Sequence, residues 1–341
     1  MIYKNVELHN VAELIQLDDG ITWRRFPSEV CESLEMDTEQ RVCSNTTGVE
    51  IRFVMKSDEV RIVMASLDPP EDDVLCTFNV CYGEIQGGWM DHEIHKYIGN
   101  TPTEFVFKKN RDLERHKHIS EEFGYARDPE VVRIIFNRGH IKLIDVIGEV
   151  EPPKAEQQPQ TVILNYGSSI THGSNSIVML YSWSYVTAHN LNCECRNLGM
   201  AGSCAMEPKV IDYIASEGER GKWDIATLEL GINVLNWEES KIYERATYAI
   251  EQVALRNPNK PVIVISPFYC CNDYIKGTDA QKWRRIIEEI VNKLNLKNVY
   301  YKNGLEFIDN MSYISADLVH PNIYGVRQIA DRLTKYIKDI I

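Results

Sequence analysis

The chain has 341 residues, 44% of them hydrophobic, and its 37 Lys+Arg against 50 Asp+Glu leave a formal net charge of −13. At about 150 residues per domain the length implies roughly two domains, and the acidic balance repels a phosphate backbone at long range, which argues against nucleic acid as a partner. No uncharged run reaches the roughly 18 residues of a membrane helix, and Met1 to His9 carry Glu7 inside the would-be apolar stretch, so neither a membrane span nor a secretory leader is expected. Nine cysteines without a C-x-x-C pair fit reduced thiols in the cytoplasm better than a disulfide framework or a zinc ribbon.

From residue 48 to 148 the chain reads as short strands with polar turns. Val49 to Met55 and Val60 to Ala65, separated by Lys56-Ser-Asp-Glu59, read as a β-hairpin. Val74 to Tyr82, Glu104 to Phe107, Val131 to Asn137 and Ile141 to Val146 continue the pattern, which predicts an all-β sandwich or jelly roll. Asn110 to Ser120, with His116 and His118, reads as a solvated face of an extended segment rather than a metal or anion site. Trp23 and Trp89 read as core aromatics rather than a sugar platform. Glu149 to Gln160 is charged, proline-rich and without apolar period, the signature of a semi-rigid linker. The predicted organisation is a β-sandwich over 1–150, a linker over 151–160 and an α/β domain over 161–341.

Beyond the linker, apolar strands at Val162 to Tyr166, Glu194 to Leu198, Asp224 to Leu230, Val262 to Ser266 and Val299 to Lys302 alternate with helical periodicity at Trp183 to Leu191, Lys209 to Glu217, Glu238 to Leu255, Asp279 to Leu294 and Asn322 to Ile340. This alternation predicts a parallel sheet covered on both faces, whose strand ends share one rim. Within Thr161 to Gly173 the run Val162-Ile-Leu164 is too apolar for an exposed strand, and Gly167 lets the chain turn sharply to Ser168 and Ser169. A helix starting just beyond would aim free N–H groups at that spot, which suits an anion or a developing oxyanion. The turn is neither G-x-G-x-x-G nor a P-loop, so nucleotide binding is not expected.

A serine nucleophile needs a base in hydrogen-bond reach, and the base needs an acceptor to fix its tautomer. Asp317 and His320 supply such a pair from one loop, with Pro321 keeping His320 out of helical conformation and suiting the first helical position. His172, just past the serine turn, is the alternative base, although it would more naturally point along the helix start.

Four blocks follow strand ends or precede the last helix: Gly167-Ser-Ser-Ile-Thr171, Asn197-Leu-Gly-Met-Ala-Gly202, Gly231-Ile-Asn233 and Asp317-Leu-Val-His-Pro321. In this order they resemble the SGNH (GDSL-type) hydrolase superfamily, over roughly residues 160 to 341. The resemblance implies a three-layer α/β/α, flavodoxin-like domain with a five-stranded parallel sheet. It implies Ser169 as nucleophile, with Ser168 where aspartate usually stands, and His320 and Asp317 as its partners. It further implies an oxyanion hole from the Ser169 and Gly202 backbone N–H groups and the Asn233 amide; Val234 replaces the aspartate that often follows. G-x-S-x-G is absent, which disfavours an α/β-hydrolase.

The β-rich region ahead of this domain resembles the two-domain arrangement of some carbohydrate esterases, which implies an acetylated sugar, free or in an oligosaccharide, as the ester hydrolysed through an acyl-enzyme. Tyr166 and Trp237 are candidates to wall a sugar pocket, with packing at the sheet rim as the competing reading. No metal or cofactor is called for. Alternative functions are a general short-chain esterase, thioesterase or lysophospholipase, and, outside enzymes, a carbohydrate-binding protein with a vestigial site.

Overall fold

The computed structural model describes residues 1–70, 76–88, 95–275 and 279–341. Trp89 and the first two residues of the strand expected from Val74 lie outside them. The first region holds β1 (Ile2–Tyr3), β2 (Val6–His9), β3 (Glu13–Leu17), β4 (Gly20–Arg24), β5 (Glu50–Met55), β6 (Glu59–Ser66), β7 (Thr77–Tyr82), β8 (Ile85–Gln86), β9 (His95–Tyr97), β10 (Thr103–Lys108), β11 (Val131–Arg138), β12 (Ile141–Ile147) and β13 (Val150–Glu151), with helices α1 (Ser28–Cys31), α2 (Asp37–Ser44) and α3 (Leu113–Phe123).

These strands form two antiparallel sheets. One runs β1-β2-β5-β11-β7-β8, with β13 on β5 and β9 on β7, and the other runs β10-β6-β12-β4-β3. Ile51, Phe53, Ile62, Phe78, Ile134 and Phe136 fill the space between them. The hairpin expected from β5 and β6 does not form, because β5 pairs with β2 and β11 while β6 pairs with β10 and β12. Burial gives the reason. Along β6 exposed and buried residues alternate at its start, as in a strand with one face in water, whereas every residue of β5 is buried. The strand buried on both faces belongs to the inner sheet, and the turn after Met55 crosses to the outer one.

Asn110 to Ser120 also departs from its extended reading. Most of it lies in α3, which stops at Gly124 with φ 65°. His116 Nδ1 lies 2.8 Å from Asn110 Nδ2, and among the described residues no group of three metal-ligating side chains forms. The proline-rich segment after residue 149 does not hang free: Val150 and Glu151 pair with Met55 and Val54, and Asp128 donates its N–H to the Gln157 carbonyl.

The second region holds β14 (Val162–Gly167), α4 (Ser169–His172), α5 (Trp183–Asn190), β15 (Glu194–Gly199), α6 (Pro208–Glu219), β16 (Ile225–Glu229), α7 (Glu239–Leu255), β17 (Val262–Ile265), α8 (Cys271–Tyr274), α9 (Asp279–Leu294), β18 (Val299–Lys302) and α10 (Ile323–Ile340). The sheet runs β15-β14-β16-β17-β18, parallel throughout. Ile211, Ile250 and Ile286 of α6, α7 and α9 pack on one face, and Trp183, Ile329 and Leu333 of α5 and α10 on the other. This is the three-layer, doubly wound architecture that the alternation predicts, with β14 between β15 and β16, so the ends of these three strands lie side by side.

The inner antiparallel sheet packs on this unit. Ile135 and Cys81 join the cluster that contains Ile163 and Trp183. Arg52 donates to both Glu194 oxygens, at 3.0 and 2.7 Å, and Arg25 donates to the Asn197 and Gly199 carbonyls at 3.1 Å. All nine cysteines are free thiols. Among the described residues no helix is long and apolar enough to cross a membrane.

Candidate active site

The interior strand β14 delivers Gly167, Ser168 and Ser169 to the rim, where one helical turn follows and ends at Gly173 with φ 92°. The helix expected there is thus four residues long, too short to supply a full helix dipole. Ser168 is its N-cap, accepting the Ile170 N–H at 3.1 Å. Gly167 is required for space rather than for a left-handed turn: a Cβ there would lie 2.3 Å from Thr171 Oγ1 and 2.7 Å from Glu229 Oε2.

The loop before α10 meets this turn. Ser169 Oγ is 2.7 Å from His320 Nε2, and His320 Nδ1 is 2.7 Å from Asp317 Oδ2. Asp317 Oδ1 accepts the backbone N–H groups of Val319, at 3.0 Å, and His320, at 2.9 Å. Burial would raise the Asp317 carboxyl, but these backbone donors and the imidazole outweigh it and hold the group at about 2. An ionised Asp317 can only accept, so Nδ1 carries the imidazole proton and Nε2 is left to take the one on Ser169. The loop doubles back at Leu318, whose φ of 64° is unusual for a branched residue. It is held by the Leu318 carbonyl, which accepts the Cys271 N–H at 2.7 Å, and by the His320 carbonyl, which accepts that of Ser315 at 2.7 Å. Pro321 stands outside the helix it was expected to start; Asn322 caps α10, accepting the Tyr324 and Gly325 N–H groups at 3.0 Å.

His172 takes no part in this contact. It is buried, its Nε2 has no hydrogen-bond partner among the described residues, and burial holds its imidazole well below the ordinary range, hence neutral.

Gly202, at φ 72°, turns the chain beyond β15, and Asn233 sits in a single 3-10 turn after β16, entered through Gly231 at φ 114°. The Asn233 Oδ1 accepts the Cys204 N–H at 3.1 Å, which fixes the amide and leaves its NH2 as the other end. Gly202 and Asn233 line one cleft of about 570 Å3 together with Trp237, Glu207, Lys241 and, from the first region, Glu39. Lys241 Nζ lies 4.1 Å from the centre of the Trp237 ring. Tyr166 is elsewhere: it is fully buried and its hydroxyl accepts the Met206 N–H at 3.2 Å. The residue before Gly167 on a central strand faces the helix layer, so Tyr166 is a core residue and does not wall the cleft.

Two neighbours of the serine turn escaped the sequence reading. Asn175 Nδ2 donates to Asp317 Oδ2 at 2.6 Å; an exposed loop asparagine carries no signal of this. Glu229, at the end of β16, is fully buried, and its Oε2 accepts from Ser168 N–H at 2.8 Å, Ser168 Oγ at 2.6 Å and Thr171 Oγ1 at 3.1 Å. Burial pushes its carboxyl up to about 7 against these donors. A carboxylate between Leu228 and Leu230 in a central strand was a visible signal.

Most or nearly all of the chain superposes on several solved structures. A salicylyl-acyltransferase, SsfX3, from a tetracycline biosynthetic pathway matches with TM-score 0.76 at 13% identity, covering 99% of this chain and 96% of that one. A family two carbohydrate esterase from Cellvibrio japonicus matches with TM-score 0.65 at 11% identity, over 99% and 96%. An acetyl xylan esterase (Est2A) from the rumen bacterium Butyrivibrio proteoclasticus matches with TM-score 0.58 at 11% identity, over 87% and 92%. Likeness at such identities shows the fold alone. No curated protein matches the sequence. A family model does: that of the GDSL-like Lipase/Acylhydrolase family matches residues 160–338, over half of the chain and the segment carrying Ser169, Gly202, Asn233, Asp317 and His320, and the chain therefore belongs to that family.

Proposed function

We propose that the chain is a serine esterase that removes short acyl groups, acetyl above all, from carbohydrate esters through an acyl-enzyme. The observation that carries this reading is the continuous line from Ser169 Oγ through His320 to Asp317, with both contacts at 2.7 Å. Ser169 Oγ attacks the ester carbonyl as His320 Nε2 takes its proton, and the imidazolium is steadied by ionised Asp317. The carbonyl oxygen, now negative, is received by the Ser169 and Gly202 N–H groups and the Asn233 NH2. His320 returns the proton to the leaving alcohol, and water repeats the sequence on the acyl-enzyme.

For the substrate class, the support is a cleft beside Gly202 and Asn233 that carries Glu39, Glu207, Lys241 and Trp237 among apolar residues such as Met36, Ala205 and Val234, a mixed wall whose charged groups suit a hydroxylated group better than a long acyl chain. The superposition on a carbohydrate esterase and an acetyl xylan esterase adds to it. The test is a rate panel of acetylated xylo-oligosaccharides against acetyl, butyryl and longer simple esters and thioesters. Faster turnover of the sugar acetates, abolished in Ser169→Ala, is expected. Equal or faster rates on simple esters, thioesters or lysophospholipids would replace the sugar reading with a general acylhydrolase. Sugar binding without turnover or labelling by a serine-reactive phosphonate would replace it with a binding protein.

A further inference from the structure

The serine turn lacks a carboxylate of its own, yet one is present in space. Glu229 reaches it from the neighbouring strand, fully buried, with three donors from the turn converging on one oxygen, Oε2. Its other oxygen, Oε1, has no hydrogen-bond partner among the described residues. An enclosed carboxyl group with one oxygen unsatisfied is costly for stability alone, and a neutral or apolar residue would fill the volume at lower cost. Gly167 is shaped to the same contact, since any side chain there would strike Glu229 and Thr171.

The backbone around Glu229 joins the other parts of the site. The Glu229 carbonyl accepts from the Cys204 thiol at 3.7 Å, and the Cys204 N–H in turn is held by Asn233 Oδ1. Glu229 therefore sits where the serine turn, the Gly202 turn and the Asn233 turn meet.

We infer that Glu229 is a positioning residue for the nucleophile: its carboxylate clamps Ser168 and Thr171 on either side of Ser169, and so fixes the Ser169 hydroxyl and N–H relative to His320 and to the Gly202 and Asn233 donors. The inference rests on Ser169 being the nucleophile. Glu229 touches neither substrate nor the reacting atoms; it acts through Ser168 and Thr171. The Gln side chain has the same shape, but its NH2 cannot accept these donors if it occupies the Oε2 position, and its carbonyl oxygen accepts them less strongly if it does.

The test uses the full chain and two readouts, turnover of a chromogenic acetate ester and the rate of labelling by a fluorophosphonate. Glu229→Gln is expected to lower kcat roughly 10- to 100-fold with KM within about twofold, since small misplacements of reacting groups cost rates of that order. Labelling should slow in parallel, with no fall in thermal midpoint at pH 8. Ser168→Ala should lower kcat too, and the Ser168→Ala/Glu229→Gln double variant should be little slower than the worse single one, because both remove the same clamp. Should Glu229→Gln not fold, Ser168→Ala and Thr171→Val, which remove the two hydroxyl donors and leave Glu229 with the Ser168 backbone N–H, carry the same expectation. A folded Glu229→Gln with wild-type kcat and labelling, or wild-type rates in both donor variants, would overturn the proposal. A wild-type chain that neither hydrolyses esters nor takes the label overturns the esterase reading and this proposal with it; an active wild type with an equally active Glu229→Gln overturns this proposal alone.

Discussion

Asn175 and His320 share one acceptor: Asp317 Oδ2 takes the Asn175 amide at 2.6 Å and the His320 Nδ1–H at 2.7 Å. Asn175 has φ 64°, a conformation asparagine tolerates better than most residues, so the loop after the serine turn reaches across to the loop that carries Asp317 and His320. Asn175→Gly keeps that backbone accessible and removes only the amide. A loss of about three- to tenfold in kcat/KM is expected, the usual size for one supporting hydrogen bond of about 1 kcal/mol. Steady-state kinetics on an acetate ester check it, and an unchanged rate would show that the backbone donors alone hold Asp317.

Asp317→Asn preserves shape but turns an acceptor into a group that can donate. The two backbone contacts from Val319 and His320 favour keeping the amide oxygen at Oδ1, which places the NH2 against His320 Nδ1 and selects the wrong imidazole tautomer. Substitutions of this kind cost up to about 10⁴ in kcat. Since Asp317 is held near 2, it is ionised throughout the neutral range, and the wild-type rate should show no inflection from it between pH 5 and 9. A pH–rate profile with a carboxylate step in that range would contradict this.

Asn233→Ala removes one of the proposed oxyanion donors while leaving Ser169, His320 and Asp317 in place. A fall of about 10²–10³ in kcat is expected, with a much smaller change in KM, because the interaction strengthens as charge develops on the substrate oxygen. Loss expressed mainly in KM would assign Asn233 to ground-state binding.

The second region was legible because most of its strands are apolar runs alternating with helices of clear periodicity; the five strands begin at Val162, Glu194, Ile225, Val262 and Val299, within one residue of the starts read from the sequence. The pairing of β5 and β6 was not legible, because a tight polar turn between two apolar strands reads as a hairpin whether the chain folds back or crosses to another sheet. What decides is the burial of Glu50 and Arg52 against Glu194, Arg133 and Tyr185, contacts that span 83 to 142 residues of chain. Tyr166 failed for a related reason: nearness in sequence to the serine turn does not say which face of the strand a side chain takes. Asp317 and His320 were legible because they lie three residues apart in one loop, whereas Glu229 and Asn175 act across separate elements.

Glu229 also makes stability depend on pH. Burial raises its carboxyl in the folded chain to about 7 from an ordinary 4.5. Between these values the unfolded chain has released the proton and the folded one retains it, so stability falls as pH rises through that window. Glu229→Gln lacks the titration. Relative to this variant, the wild-type thermal midpoint should drop by on the order of a few degrees between pH 4.5 and 8. Thermal melts of both proteins at the two pH values measure it, and parallel curves would mean that Glu229 is ionised as readily in the fold as outside it.

Arg52 ties the two regions together from a position 1% exposed. It donates through Nε to Glu50 Oε2 at 2.8 Å and through its two terminal nitrogens to Glu194, which also receives Arg127 at 2.7 Å. Arg52→Met fits the volume but leaves Glu194 with one arginine and Glu50 with one, Arg133. Breaking a buried ion pair from one side costs about 3–5 kcal/mol, which at this chain length lowers the midpoint by several degrees. Because Glu50 lies on β5 and Glu194 on β15, the loss should appear as destabilisation of both regions together. Calorimetry of Arg52→Met is expected to show one transition moved downward; a split into two, with the later one at the wild-type temperature, would mean that the parallel-sheet unit holds its fold without this contact.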